Sequence, residues 1–150
     1  MPEAEPAVGA LRLAHDGSAA LGVPAHITVL FPFAAPEDVD EEALAALLAR
    51  FRAFDFTLER IERFDTGLVW LAPRPSLPFA DLTEAVRQRF PDYPPYEGAH
   101  DEVIPHLTVS EQPIDVQIEL PIACRAHEVV LIEEQEEDGR WTPRRAFPLA

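Results

Sequence analysis

The chain is poor in cysteine and in long apolar runs. Cys124 is its only cysteine, which excludes an internal disulfide framework. No apolar stretch approaches the roughly 20 residues that a membrane-spanning helix needs. The N-terminal residues 1–6 include two glutamates and lack the basic region of a secretory signal peptide. These absences lead us to expect a soluble cytoplasmic protein with no membrane association.

Basic residues are also scarce, with 12 Lys and Arg against 27 Asp and Glu and a formal net charge of −15. Proteins that bind long nucleic acids do so largely by neutralising phosphates with basic side chains. The composition therefore argues against a general nucleic-acid-binding protein. A small phosphorylated substrate or an RNA end remains compatible, because a local pocket can differ from the overall field.

The length and composition of the chain are typical of one globular domain. The 150 residues are 47% hydrophobic and 26% charged, which suits a single domain spanning residues 1–150 and built from two lobes. The 16 prolines lie mostly at predicted element boundaries, where they end helices and strands. We expect this domain to be a monomer.

One short motif occurs twice. Residues 26–29 read His-Ile-Thr-Val and residues 106–109 read His-Leu-Thr-Val. Each copy is rich in β-branched residues and is entered through a turn with proline, which predicts a strand. Because strand side chains alternate between faces, the histidine and threonine of each copy would share the face opposite the apolar one. In the first copy, the apolar face would hold Ile27, Val29, Phe31 and Phe33.

The rest of the chain predicts interleaved strands and helices. Apolar residues at helical spacing predict a helix that begins within 36–40 and carries Leu44 to Phe51, and a second at about 79–90. Residues 91–102 are expected to form a loop. Strands are expected at 8–14, 26–33, 54–64, 68–72, 103–110, 118–122, 128–134 and 140–149. We predict an α+β fold of two lobes with approximate twofold pseudosymmetry around a central cleft.

Two strands from two lobes would bring His26 and His106 to one cleft. Histidine titrates near neutral pH, so one imidazole can accept a proton while the other donates one. The hydroxyls of Thr28 and Thr108 can bond the non-bridging oxygens of a phosphate. This chemistry needs neither a metal nor another cofactor, and the near-identical motifs leave open which histidine is the base.

The paired motifs resemble the signature motifs of the two-histidine (2H) phosphoesterase superfamily, and within it the 2′-5′ RNA ligase family. The likeness extends to the flanks at residues 22–25, 31–33 and 103–105, and it covers nearly the whole chain. It implies a bilobal fold of two antiparallel sheets flanked by helices. It also implies metal-independent hydrolysis of cyclic phosphates or 2′-5′ phosphodiester bonds, or the reverse ligation. The corresponding functional positions here are His26, Thr28, His106 and Thr108.

Several other side chains have competing interpretations. Tyr96 can line the cleft and stack on a base, or it can pack. For Trp70, Phe31 and Phe33 packing is favoured over stacking. His100, Asp101 and Glu102 with His106 superficially resemble a metal cluster, but their spacing matches no known ligand pattern, so a solvated loop is expected. His15 and His127 carry no motif, and Cys124 has no evident activating neighbour.

Two departures from the family pattern count against a nucleotide or tRNA substrate, and separately a second class of function remains open. The second half of the chain is abbreviated, and neither motif strand contains Lys or Arg. A binding module that keeps the cleft without turnover, and holds a nucleotide or a protein partner, is the alternative. The two intact His-x-Thr motifs favour the enzyme, because a pure binder has no need of two titratable groups.

Overall fold

The structure is a computed structural model and describes residues 1–99 and 102–150. Its order of elements has the expected α+β character. The elements are α1 (Glu5–His15), α2 (Gly17–Ala20), α3 (Glu41–Leu48), β1 (Phe54–Arg63), β2 (Val69–Arg74), α4 (Leu77–Arg89), β3 (Leu107–Ser110), β4 (Ile122–Ala126), β5 (Glu128–Glu134) and β6 (Trp141–Pro148), with 3₁₀ turns at Pro36–Asp38 and Pro95–Gly98.

The larger sheet has four antiparallel strands in the order β3-β2-β1-β4. Its alternating pattern places Leu58, Leu71 and Leu107 on one face, where each is fully buried. Helix α1 covers that face and contributes Val8 to the same apolar cluster. We call this cluster the first core.

The smaller sheet is the β5–β6 hairpin, which packs with α3 and α4. Leu48, Leu82 and Phe147 are at most 2% exposed there, and we call this cluster the second core. Phe54 packs against both cores, so strand β1 joins the two layers. The predicted hairpins at 54–72 and 128–149 and both predicted helices are confirmed, with β2 extending to Arg74 and α4 beginning at Leu77. Helix α3 begins only at Glu41, after the 3₁₀ turn, and ends at Leu48, before Phe51.

The predicted first strand at 8–14 is wrong, because this segment lies within helix α1. Its buried residues also fit a helical period, since Ala4, Val8 and Arg12 follow one another at intervals of four. Pro6 lies in the first turn, where a missing N–H costs nothing. The residue after α1 is Asp16, whose side chain accepts a hydrogen bond from the backbone of Ser18 and caps α2.

Two further predicted strands are displaced. The strand expected at 118–122 begins only at Ile122 and runs to Ala126, where it pairs with β1. The prolines at 113 and 121 bracket the preceding segment, and a residue without an N–H cannot donate to a ladder. The second motif strand begins at Leu107 and not at residue 103. None of the described helices is both long enough and apolar enough to cross a bilayer.

Candidate active site

The first His-x-Thr motif does not lie in a strand. Residues 26–33, all of them described, take part in no β-ladder, which corrects the prediction from sequence. The apolar side chains of this segment also do not share one face, since Ile27 packs against the first core while Val29 and Phe33 pack against the second. The motif therefore runs as an irregular segment between the two cores.

The backbone of this segment is satisfied by side chains and loops from other parts of the chain. The α-amino group of Met1 donates to the Ala25 carbonyl at 2.7 Å, and the Ala25 N–H donates to the Glu5 carboxylate at 2.5 Å. The Thr83 hydroxyl donates to the Val29 carbonyl at 2.8 Å. The backbone N–H of Tyr96 donates to the carbonyl of residue 31 at 2.7 Å. These contacts replace the neighbouring strand that a ladder would have supplied.

Residues 107–109 of the second motif lie in strand β3, which pairs with β2, and His106 immediately precedes that strand. Leu107 and Val109 are fully buried in the first core, which also contains Ala25 from the turn before the first motif. Thr108 is directly opposite Trp70 in the ladder, so these two side chains share the face of the sheet away from that core. The two motifs thus converge on one core from different parts of the chain.

Both catalytic candidates are held through the same ring atom. His26 Nδ1 lies 2.9 Å from the carbonyl oxygen of Pro24, and His106 Nδ1 lies 2.7 Å from that of Ile104. A carbonyl only accepts, so each Nδ1 carries the proton and donates. In both neutral imidazoles the basic lone pair is therefore on Nε2, the atom that points away from the anchoring turn.

His26 lies among polar and charged neighbours. Its Nε2 is 3.2 Å from the Thr28 hydroxyl, which donates to it. This contact confirms that the two side chains lie on the same side of the segment. Burial lowers the pKa of His26; the Arg12 cation and the N-terminus lower it further, while the Pro24 carbonyl and Asp16 oppose the shift.

His106 has an aromatic surrounding instead. Its ring meets Phe64 edge-on at a centroid distance of 5.1 Å and Trp70 at 5.8 Å, and Phe64 stacks on Trp70 at 4.9 Å. Burial lowers the pKa of His106, opposed by its bond to Ile104. The expected packing role of Trp70 is confirmed by its 9% exposure. Its indole Nε1 is buried, with no hydrogen-bond partner among the described residues.

Arg12 and Asp16, which no sequence motif indicates, form a buried ion pair beside the first motif at 2.9 Å. Arg12 Nε also donates to the Thr108 carbonyl at 3.1 Å, and Nη1 donates to the Val23 carbonyl at 3.1 Å. The available signal was an Arg and an Asp four residues apart in an otherwise apolar segment. In the predicted strand, residues four apart share a face but lie about 13 Å from one another, so no ion pair is expected.

The remaining aromatic candidates divide between surface and core. Phe33 packs on Phe90 and Tyr93, as expected for a core residue. The prediction for Phe31 is wrong, because it is 49% exposed and meets Trp141 edge-on at 6.0 Å. Tyr96 is half-buried, and burial raises its pKa. Its binding role remains a prediction.

The last set of candidates lies away from these contacts or outside the described chain. His127 is exposed, and burial raises the pKa of Cys124 to about 11, in line with an unreactive thiol. His15 is half-buried. The suspected loop cluster falls partly on residues 100 and 101, which are outside the described residues. Within 1–99 and 102–150, no group of three or more His, Cys, Asp or Glu side chains is placed to hold a metal ion.

A sheet-and-helix frame that carries two histidines anchored alike, each two residues before a threonine, is the arrangement of a 2H phosphoesterase. Residues 1–146 match the 2′-5′ RNA ligase superfamily, and the chain belongs to that family. No curated protein sequence matches the chain.

Solved structures support the same fold. E. coli LigT complexed with 3′-AMP superposes with a TM-score of 0.65 at 21% identity, covering 99% of this chain and 92% of that one. E. coli LigT complexed with phosphate gives 0.60 at 22% identity, with the same coverage. The protein TT0787 of Thermus thermophilus gives 0.59 at 18% identity, covering 84% and 80%. The expected α+β fold of the 2H phosphoesterases is thereby confirmed.

Proposed function

We propose that this protein is a metal-independent phosphodiesterase that opens cyclic phosphates, either 2′,3′-cyclic nucleotides or cyclic RNA ends, or acts on 2′-5′ phosphodiester bonds. His26 and His106 are its general acid and base, and Thr28 and Thr108 bind the phosphate. The observation that carries the proposal is the matched Nδ1 anchor of the two imidazoles. A positioned imidazole whose basic lone pair is on Nε2 suits proton transfer, and at His26 the Thr28 hydroxyl that donates to this atom would turn to the phosphate when substrate binds.

The reaction is an in-line displacement at phosphorus. One neutral imidazole takes a proton through Nε2 from the attacking water while the new P–O bond forms. The other, as imidazolium, donates its Nε2 proton to the ribose oxygen as the old P–O bond breaks. The two threonine hydroxyls donate to the non-bridging oxygens, whose charge increases in the transition state. The two imidazoles supply both proton transfers, so the mechanism requires no metal.

The substrate class rests on two kinds of support. Membership of the 2′-5′ RNA ligase superfamily favours a phosphodiester of ribose. E. coli LigT has been crystallised with 3′-AMP, ATP and NADP⁺, which makes nucleotides sensible first substrates here. The net charge of −15 favours a small substrate or an RNA end over a long RNA.

The test is turnover of the full chain with the four 2′,3′-cyclic nucleotides and a 2′-5′-linked dinucleotide, each with excess EDTA. We expect a cyclic nucleotide to be converted to its monophosphate at an unchanged rate in EDTA. Binding without turnover would favour the alternative of an inactive binding module. Loss of activity in EDTA with recovery on adding a divalent ion would refute the metal-independent mechanism and redirect attention to residues 100–106.

A further inference from the structure

Arg12 is the most extensively bonded buried cation among the described residues. Its side chain is 2% exposed, although arginine is almost never fully buried without a partner. Nε and Nη2 both donate to Asp16 Oδ2, at 3.1 and 2.9 Å, and Nη2 also donates to the Ser18 hydroxyl at 3.2 Å. These three bonds are local and hold the guanidinium plane in one orientation.

The remaining bonds of Arg12 reach the backbone of the turn before the first motif and the backbone of the second motif. Nη1 donates to the Val23 carbonyl, one residue before the Pro24 carbonyl that anchors His26. The single Nε–H is shared between Asp16 Oδ2 and the carbonyl of Thr108, two residues after His106, at 3.1 Å to each. One side chain therefore contacts two segments that are far apart in sequence, the first before strand β1 and the second after strand β2 along the chain.

We propose that Arg12 is a positioning residue that fixes the first His-x-Thr motif relative to the second. The first motif lies outside both described sheets, whereas residues 107–109 of the second lie in β3 and His106 directly precedes them. The bonds from Arg12 to Val23 and Thr108 are thus a link from the turn that leads into the first motif to the sheet. The proposal rests on the proposed function, because what Arg12 positions are the acid and base of that reaction.

Arginine suits this role because its planar fork donates in several fixed directions at once. Lysine keeps the charge but presents one compact ammonium group, which cannot reproduce bonds from three separate nitrogens. Asp16 matters differently: it orients the guanidinium, and its other oxygen accepts from the Ser18 hydroxyl at 2.7 Å. Among the described residues, its side chain makes no hydrogen bond to either motif. A positioning role and a purely stabilising role therefore differ in what Arg12 and Asp16 substitutions do to catalysis.

The experiment compares Arg12→Lys with Asp16→Asn, using Arg87→Lys as the matched control. Arg87 makes a two-bond ion pair with Glu84 on the exposed side of helix α4. For Arg12→Lys we expect kcat on a cyclic nucleotide to fall by about 10- to 100-fold with little change in KM, because small misplacement of catalytic groups is costly. Asp16→Asn should lose stability with a much smaller loss of kcat, and Arg87→Lys should match the wild type.

A second readout does not depend on turnover. In NMR spectra at fixed pH, Arg12→Lys should move the Cε1–H signals of both His26 and His106, while that of exposed His127 stays in place. A failure of the proposed function would leave this coupling intact, so the two proposals are separable. Wild-type kcat in a folded Arg12→Lys, or an equal loss of kcat in both variants that follows their loss of stability, would overturn the positioning role.

If Arg12→Lys does not fold, amide hydrogen exchange of the wild-type protein tests whether Arg12 couples the first motif to α1 and β3. Segments joined by one side chain should open as one cooperative unit. We expect the amides of residues 22–28, of α1 and of β3 to share one opening free energy. Exchange of residues 22–28 at a much lower opening free energy than β3 and α1 would contradict the proposal.

Discussion

The ring of Phe64 meets the ring of His106 edge-on, with centroids 5.1 Å apart and planes at 90°. Together with Trp70, Phe64 fixes one imidazole of the site by aromatic contacts. Such pairs stabilise by about 0.5–1.5 kcal/mol beyond the area they bury. The contact is thus strong enough to restrict the ring without immobilising it.

Phe64→Leu is expected to loosen His106 and admit water beside it. Because burial lowers the pKa of His106, the pKa should rise toward its ordinary value, and kcat should fall because the ring is less well placed. The pKa is measured by NMR titration of the Cε1–H signal. Phe54→Leu is the matched control, since it also loses an edge-on ring pair, with Phe79. An unchanged His106 pKa in Phe64→Leu would contradict the prediction.

His26→Ala and His106→Ala each remove a proton-transfer group from the proposed mechanism. A positioned acid or base contributes about 10² to 10⁴ in rate, so each variant should lose at least that order in kcat. The double variant should lose less than the product of the two, because the residues act as a unit. Thr28→Ala and Thr108→Ala should lose less, since each removes one hydrogen bond. A folded single histidine variant with wild-type turnover of cyclic phosphates would leave the inactive binding cleft as the better explanation.

The pH dependence follows from the lowered pKa of both histidines. The active form has one protonated and one neutral imidazole, and in the free protein this form declines once the pH rises above the higher of the two pKa values. The profile of kcat/KM should therefore be bell-shaped with its maximum below about pH 6.5, the ordinary histidine value. Bound phosphate stabilises the imidazolium, so the kcat profile should lie at higher pH. A kcat/KM maximum at a pH about one unit above that ordinary value would refute this.

Asp16→Ala tests the energetics of the buried ion pair. The side chains of Arg12 and Asp16 are only 2% and 3% exposed, so the substitution leaves an uncompensated buried cation, at a cost of about 3–5 kcal/mol. Asp55→Ala breaks the exposed pair with Arg125 and should cost less than about 1 kcal/mol. Urea denaturation of both variants measures the difference. Equal free energies of unfolding would contradict the assigned role of burial.

The sequence was sufficient to identify the pair of motifs, both hairpins and two of the helices. The hairpins around residues 54–72 and 128–149 were predictable because their alternation and turn residues are local signals. The Nδ1 anchors were not, because they depend on the path of the two residues before each histidine. The choice of threonine and histidine as candidates needed only the repeat itself.

The first motif and helix α1 were mispredicted for a common reason. Both are determined by partners far away in sequence. Thr83 and Tyr96 donate hydrogen bonds to the backbone carbonyls of residues 29 and 31, and the carbonyl of Thr108 accepts a hydrogen bond from buried Arg12. A short apolar run such as 8–14 fits a strand or a helix by periodicity alone. The decision between them came from tertiary contacts that no local pattern contains.

The hydrogen bond from each Nδ1 to a backbone carbonyl determines how protons enter and leave the imidazoles during the proposed reaction. Because Nδ1 keeps its proton in that bond, every proton enters and leaves an imidazole through Nε2, and none is relayed across the ring from Nδ1 to Nε2. One hydrolytic turnover then leaves the former base protonated and the former acid neutral. By microscopic reversibility, that exchanged state is the one competent for ring closure or ligation. The net direction is set by the concentrations of water and product, as for any catalyst. The like anchors of His26 and His106 allow either imidazole to carry the proton, and the resting state is restored by proton exchange with solvent or buffer.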